Sequence, residues 1–331
     1  MARKSSASKS KKPSARFRRF RRTRAFLWVN LFAALAVGGW YLVQPPTRQA
    51  EVRLLVGNTF AANKNVSPLD VAWDIWQMYY SEDYVVAPPA AGDRSFAYAG
   101  LPRAEQPGLP GKRVLVNEGY VVGYADEWGN PLWAAYRMAD ISPLPSAGER
   151  PGSFSVDTRT AARISPDAYT GTGYDRGHLA PNYGIATRHG EAAQRETFLM
   201  SNIIPQRHGL NAGLWKQLEQ RAATSYPARF GEVWVVVGPV FGATDTRLPS
   251  RAGGSAPRVP EACFMILMDE SDGRVRTMAF MFPQDPAKGS ELGDFLTTLD
   301  EIEARTGLDF LAELNAGAQA ELEAKRAGRV W

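Results

Sequence analysis

Residues 174–182 read Tyr174-Asp175-Arg176-Gly177-His178-Leu179-Ala180-Pro181-Asn182. Ser201-Asn202-Ile203-Ile204-Pro205-Gln206 follows, and then Leu210-Asn211-Ala212-Gly213-Leu214-Trp215-Lys216-Gln217-Leu218-Glu219. Between Asp175 and Glu219 the chain gathers an imidazole, an amide oxygen, two carboxylates and an arginine. That set suits cation-assisted attack of water on a phosphodiester. The diester is anionic and repels hydroxide. Its hydrolysis needs a base for the water, a cation for the phosphate and the leaving 3′-oxygen, and in-line attack. Neutral imidazole is a suitable base near pH 7. A guanidinium keeps its proton and forks onto phosphate oxygens.

Asn211 and Glu219 are eight residues apart. On one continuous helix they would stand about 12 Å apart along the axis and about 80° apart around it. A single ion cannot be ligated directly by both without strain. A hydrated Mg²⁺ can serve both, because it keeps its waters and takes few protein ligands. Asn211 is therefore expected on the metal and Glu219 on its water shell. Leu210, Leu214, Leu218 and Ala222 form the adjoining apolar stripe, which would fix this helix on a sheet. Asp175 suits a water-holding role or a turn-initiating one. Gly177 is expected to let the backbone bend so that His178 faces the metal. Taken singly, each residue has a plainer reading: a structural histidine, a surface ion pair, an Asn at the start of an amphipathic helix.

The three runs, in this order, resemble the DNA/RNA non-specific endonucleases of the ββα-metal superfamily. The resemblance covers Lys112 to Leu311 and excludes the first 50 residues. It implies a metal-dependent endonuclease acting on DNA and RNA and leaving a 5′-phosphate. Little base selectivity is expected, because backbone contacts carry no sequence information. By resemblance, His178 is the general base and Asn211 the ligand of Mg²⁺, with Mn²⁺ as the alternative ion. Glu219, Asp175 and Arg176 complete the catalytic set. Asn202 and Gln206 position the site or its substrate. Arg150 falls where the family often has a transition-state arginine, with Arg159 and Arg163 as alternatives. Relatives are often dimers, so a homodimer is a further expectation.

The chain departs from the pattern at two places. Ala223 stands where many relatives carry an arginine one turn after the glutamate, which leaves Arg221 or Lys216 to compensate. Leu210-Asn211-Ala212-Gly213 stands where many have LNQG. The rival readings are a phosphodiesterase acting on a smaller substrate and a catalytically weak nucleic-acid-binding membrane protein.

The formal charge of the 331 residues is +5, but residues 1–25 hold 11 Lys/Arg and no acid. The rest carries 28 basic against 34 acidic residues, a net charge of −6. Its overall field repels a polyanion, so nucleic acid must be held by a local basic cluster. Cys263 is the only cysteine and sits in Ala262-Cys263-Phe264-Met265-Ile266-Leu267, which reads as a buried structural thiol.

Phe26 to Val43 is apolar for 18 residues apart from Asn30, Gly38 and Gly39, with arginines before it and Gln44-Pro45-Pro46 after it. That length just spans a bilayer, and the flanking charge keeps the basic end cytoplasmic. The reading is a single-pass anchor in a bacterial inner membrane with a periplasmic catalytic domain. A cleaved signal peptide leading to secretion, and an organellar, mitochondrial transit peptide, are the alternatives.

The chain divides into a basic tail (1–25), an anchor (26–43), a linker with a packing helix (44–111), the nuclease domain (112–315) and a C-terminal tail (316–331). Ser67-Pro68-Leu69-Asp70 marks a helix start. In the helix that follows, Asp70, Asp74, Gln77 and Ser81 form one thin polar stripe, expected to be wet, and Trp73 and Trp76 belong to the apolar remainder. Strands are expected at 114–116, 119–124, 132–136, 233–237, 263–268 and 275–282. Leu292 to Ile302 and Ala312 to Gly328 read as helices. The fold class is α+β: a central antiparallel sheet with helices on its faces, after one N-terminal transmembrane helix.

Overall fold

The computed structural model describes residues 15–87, 94–104, 109–249 and 255–331, with side chains from Thr23 onward. The chain separates into a unit ending at Leu54 and a unit from Leu55 to Trp331. The first holds α1 (Ala15–Leu42) and most of α2 (Pro46–Phe60). Within α1, Thr23–Leu42 is 20 residues long with mean hydropathy 1.6 and no buried position. Length and composition make it a candidate membrane span, and a signal sequence has the same features. Most of the basic tail lies outside the described residues.

In the second unit the elements run α3 (Pro68–Tyr80), β1 (Val85–Val86), β2 (Arg103–Ala104), β3 (Lys112–Asn117), β4 (Tyr120–Ala125), β5 (Asn130–Ala139), β6 (Asp175–His178), α4 (Asn182–Glu196) and β7 (Ile203–Gln206). There follow α5 (His208–Leu210), α6 (Lys216–Ala223), α7 (Ser225–Phe230), β8 (Glu232–Val240), β9 (Ala262–Ser271), β10 (Arg274–Pro283), β11 (Leu296–Thr297), α8 (Leu299–Thr306), β12 (Leu308–Asp309) and α9 (Ala316–Ala324).

The large sheet has the order β1-β10-β9-β8-β5-β4-β3, with β11 also on β10, and every pairing is antiparallel. Its central strands are apolar on both faces because both faces are covered. In β8, Val233, Val235 and Val237 join one core, while Trp234, Val236 and Val240 join the other. In β9, Cys263, Met265 and Leu267 alternate with Phe264, Ile266 and Met268 in the same way. The first core is closed by Leu210, Trp215, Leu218 and Ala222 of the segment leading into and along α6, and by Ile185 of α4. The second is closed by Leu299 and Ile302 of α8 and Ala318 and Leu322 of α9. The expected antiparallel sheet with helices on its faces is present.

β6 and β7 stand off this sheet as a separate antiparallel pair, with His178 opposite Ile203 and Asp175 opposite Gln206. This pair and the α5–α6 segment carry the three sequence runs. That segment is not the continuous helix expected. A π-helical turn, Asn211–Trp215, lies between α5 and α6, and Gly213 within it is non-helical (φ −102°, ψ −114°). A π turn advances less angle per residue than an α turn, so the ideal-helix phase between Asn211 and Glu219 does not apply.

Several local expectations are corrected. In α3, Ser67 caps the first turn as expected, accepting from the Leu69 amide. The stripe expected to be wet is inside: Asp74 and Gln77 are each 2% exposed. Asp74 makes a bidentate pair with Arg229 (3.0 and 2.6 Å), and Gln77 Oε1 accepts from Arg276 (2.7 Å). Partners far along the chain satisfy the polar side, so the aromatic side is left in solvent.

The segment expected to be a linker also has buried parts: Tyr98 packs edge-on against Trp234, while residues 88–93 and 105–108 lie outside the described residues. The helix expected over Leu292 to Ile302 is a short 3-10 turn, the strand β11 and then α8, whose cap is Thr298, accepting from the Glu301 amide. The C-terminal segment is packed into the cores through Leu322 and Trp331.

Candidate active site

A cleft of about 830 Å³ opens beside β6, between the start of α4 and the π turn with α6. His178 and Arg176 reach it from β6, Asn211 from the π turn, and Glu219 from α6. Arg150 comes from the irregular segment after β5. The rest of the chain is net acidic, but this cleft is lined by Arg150, Arg176, Lys216 and Arg221 against Glu219. That is the local basic cluster a polyanion requires.

The His178 ring is wedged between Phe198 (centroids 5.0 Å, edge-on) and Phe154 (5.4 Å). Part of the residue reaches solvent, but Nε2 is covered and has no hydrogen-bond partner. Burial first, and then the charge of Arg150, push its pKa down to about 3. The ring is therefore neutral across the working pH range, and its lone pair is unclaimed.

Glu219 is fixed by its own helix: Trp215 Nε1 donates to Oε1 at 3.0 Å across one turn. Trp215 is fully buried and lies edge-on to Phe282, so the anchor is rigid. Burial raises the Glu219 pKa to about 8, against the opposing pull of the Trp215 hydrogen bond, Arg150 and Lys216. A carboxyl held protonated near neutrality, in the same cleft as Asn211, is a place where a cation gains much by displacing a proton.

Asn211 donates from Nδ2 to Asp175 Oδ2 at 2.9 Å, which orients its amide and leaves Oδ1 free of that bond. The same Asp175 oxygen meets His208 Nδ1 at 2.8 Å. Asp175 is thus placed behind Asn211. The oxygen-rich set of Asn211, Asp175 and Glu219 fits a hard, hydrated divalent cation.

Other sequence-selected residues are placed differently. Asn202 is fully buried; it accepts from the Ala180 amide (2.9 Å) and donates to the carbonyls of Ala180 and Thr197 (both 3.0 Å). Gln206 is fully buried, with Nε2 on Cys263 Sγ at 3.5 Å. Neither lines the cleft; of the two expected roles, positioning the site or its substrate, Asn202 has contacts that suit the first, because it ties the strand carrying His178 to the chain before β7. Gly177 serves close approach, not a bend. A Cβ there would lie 2.1 Å from Gln206 Oε1.

Arg176 lines the cleft, yet its Nε and Nη2 donate to the Pro166 carbonyl (3.1 and 2.7 Å), and Nη2 also to Thr170 Oγ1 (3.2 Å). These bonds make it a clamp on residues 166–170, while Nη1 is outside them on the cleft lining. Arg150 is exposed in the cleft, its guanidinium 5.0 Å over the Phe198 ring. Arg159 instead pairs with Asp157 and Asn117, away from the cleft, and Arg163 is not in its lining. Of the proposed substitutes for the missing arginine at 223, both Lys216 and Arg221 line the cleft.

Two contributors were missed in the sequence. His208 meets Asp175 across 33 residues, a contact with no local signal. Asn182, the residue after Pro181, lines the cleft with Oδ1 buried and unpartnered, and its place at the end of the first motif was the available signal.

The cleft thus joins an imidazole from a strand pair, an oriented amide from the π turn and a carboxyl from α6, a set suited to hydrolysis of a phosphodiester. Residues 103–317 match the model of the DNA/RNA non-specific endonuclease family, and the chain belongs to that family. It is 33% identical over 199 residues to the nuclease of Serratia marcescens, covering 58% of this chain and 73% of that protein. Similarity to human mitochondrial endonuclease G is 29% over 233 residues, covering 67% and 77%. A solved structure of the EndoG/EndoGI complex superposes with a TM-score of 0.54 at 22% identity, covering 63% of this chain and 89% of that one, which shows a shared fold. The chain is an endonuclease that hydrolyses nucleic acid.

Proposed function

We propose a divalent-cation-dependent hydrolysis of DNA and RNA phosphodiesters, with Mg²⁺ as the ion and Mn²⁺ as its substitute. The observation that carries this reading is the neutral, unpaired imidazole of His178 in the same basic cleft as Glu219 and the oriented amide of Asn211. Asn211 would hold the ion through Oδ1, and Glu219 and Asp175 would accept hydrogen bonds from its hydrating water. A divalent cation bound there supplies charge neutralisation at the phosphate and at the departing 3′-oxygen.

His178 takes the proton of the attacking water. Without substrate it is a weak base, because burial and then Arg150 hold its pKa low. The anionic phosphodiester beside it offsets Arg150 and raises its basicity when substrate arrives. Arg150 grips the phosphate, and Arg176 keeps the 166–170 loop in place behind it. Residues 26–43 would cross a membrane and hold the nuclease unit on the side opposite the basic tail.

The test is cleavage of supercoiled plasmid and of RNA with Mg²⁺ or chelator. His178→Ala should lose about 10²–10⁴-fold in rate with Mg²⁺ binding intact. Asn211→Ala should lose apparent Mg²⁺ affinity and recover in part at high Mg²⁺. Rescue of His178→Ala by Mg²⁺, without rescue of Asn211→Ala, would reverse the assignments.

A further inference from the structure

On α3, Leu69, Trp73, Trp76 and Tyr80 fall at i, i+4, i+7 and i+11, within an arc of about 60°. The buried residues Val71, Asp74, Gln77 and Met78 fall outside that arc, centred more than a right angle away from it. Leu69 is 81%, Trp76 46% and Tyr80 56% exposed. Trp73 is half-buried and lies against Trp76 with ring centroids 4.8 Å apart. This outward stripe carries no charge. At its flank the Arg329 guanidinium sits 4.1 Å over the Trp73 ring, and Arg326 and Arg329 are both exposed. Among the described residues of the Leu55–Trp331 unit, more than half of the exposed large apolar side chains come from residues 56–80, so the exposure is concentrated.

We infer that this stripe lies in the headgroup layer of an anionic lipid bilayer. Three observations select that occupant. The first is chain continuity: only residues 43–68 separate the stripe from the end of the candidate span, so an inserted span holds the stripe near one membrane surface at high effective concentration. The second is chemistry. Trp and Tyr have an apolar body and a polar tip and concentrate at the membrane–water boundary, and the adjacent arginines suit anionic headgroups. The third is size. Taking about 150–250 Å² per large side chain, the stripe exposes roughly 400 Å². That is about half of what one partner contributes to a standard protein interface, which disfavours a second copy as occupant. The inference rests on the reading of residues 26–43 as a retained membrane anchor.

The test uses the full chain in vesicles of phosphatidylcholine and phosphatidylglycerol. Cys263 is buried, so an environment-sensitive fluorophore can be attached to introduced cysteines alone. Leu69→Cys and Tyr80→Cys report on the stripe, Leu35→Cys on the span, and Glu301→Cys on exposed surface elsewhere; plasmid cleavage confirms that each variant is folded. The stripe labels should emit to the blue of the Glu301→Cys label and be quenched by lipid-borne nitroxide at least half as strongly as the span label. Stripe labels that behave like Glu301→Cys, with the span label quenched, overturn the inference and leave the anchor standing. An unquenched span label overturns the anchor and the inference together. Energy transfer between copies without lipid quenching assigns the stripe to a second copy and also overturns it.

Discussion

Cation binding to the cleft should release a proton, and Glu219 should be its source. Burial holds the Glu219 pKa at about 8, so at pH 7 about nine-tenths of the molecules carry the proton. A divalent cation beside the carboxyl favours its charged form and returns it toward the ordinary range. Binding at pH 7 should then release about 0.9 proton, falling to about 0.1 at pH 9, and apparent affinity should rise about tenfold between those values. His178, at about 3, is neutral throughout this window and adds nothing. Calorimetric titration with Mg²⁺ in PIPES and in Tris measures the release, because the two buffers differ in ionisation heat. Glu219→Gln should abolish both the buffer dependence and the pH dependence of affinity. Buffer-independent heat in the parent at pH 7, or an undiminished release in Glu219→Gln, would refute the reasoning.

The same shift sets a stability trend. The folded, cation-free protein holds the Glu219 proton more tightly than the unfolded chain between pH 4.5 and about 8. Its contribution is therefore present below pH 4.5 and lost as pH rises through that window, and Mg²⁺ should suppress the loss in unfolding midpoints measured against pH. Arg150→Ala removes a charge that holds the His178 pKa down, so the imidazole should titrate at higher pH by NMR while KM for plasmid rises; an unmoved resonance would remove Arg150 from the site. Gly177→Ala drives a methyl into Gln206 and should cost about 1–3 kcal/mol in urea unfolding, with the Gly177→Ala/Gln206→Ala pair costing less than the two single changes added. Asp74→Ala leaves the Arg229 guanidinium buried and unpaired and should cost about 3–5 kcal/mol, measured the same way; a cost near zero would mean that Arg229 finds water.

The chemistry of the cleft was legible because base, amide and carboxyl lie within one short stretch, and the fold returns them to one place. The large sheet was legible for a similar reason: runs such as 233–237 and 263–268 are rich in residues that suit a strand covered on both faces. What the amide residues touch was not legible. Asn202 and Gln206 lie in a motif beside the site, yet their side chains face a backbone carbonyl and a thiol. A motif position records that a residue matters to the local structure, and burial decides whether substrate can reach it. The phase of the helix carrying Asn211 was misjudged because one non-helical glycine, Gly213, breaks the regular advance on which such arithmetic depends.

The reversal of α3 has a different origin, and it bears on where the functional unit begins. Amphipathic reasoning assigns polar residues to water because an unpaired buried charge is expensive. Asp74 and Gln77 escape that rule through Arg229 and Arg276, 155 and 199 residues away. Arg276 is also paired with Asp269, and its guanidinium lies over the Tyr84, Phe230 and Trp331 rings. Both arginines lie inside the family match, whereas Asp74, Gln77 and Tyr84 precede it and Trp331 follows it. A chain trimmed to the matched residues would strand Arg229 in the interior without its carboxylate and strip three of Arg276's neighbours. Breaking a buried pair from one side costs far more than the pair contributes when intact. Asp74, Gln77, Tyr84 and Trp331 are thus structural parts of the nuclease unit, and the aromatic stripe of α3 is held in a fixed orientation by the same buried ion pair and hydrogen bond.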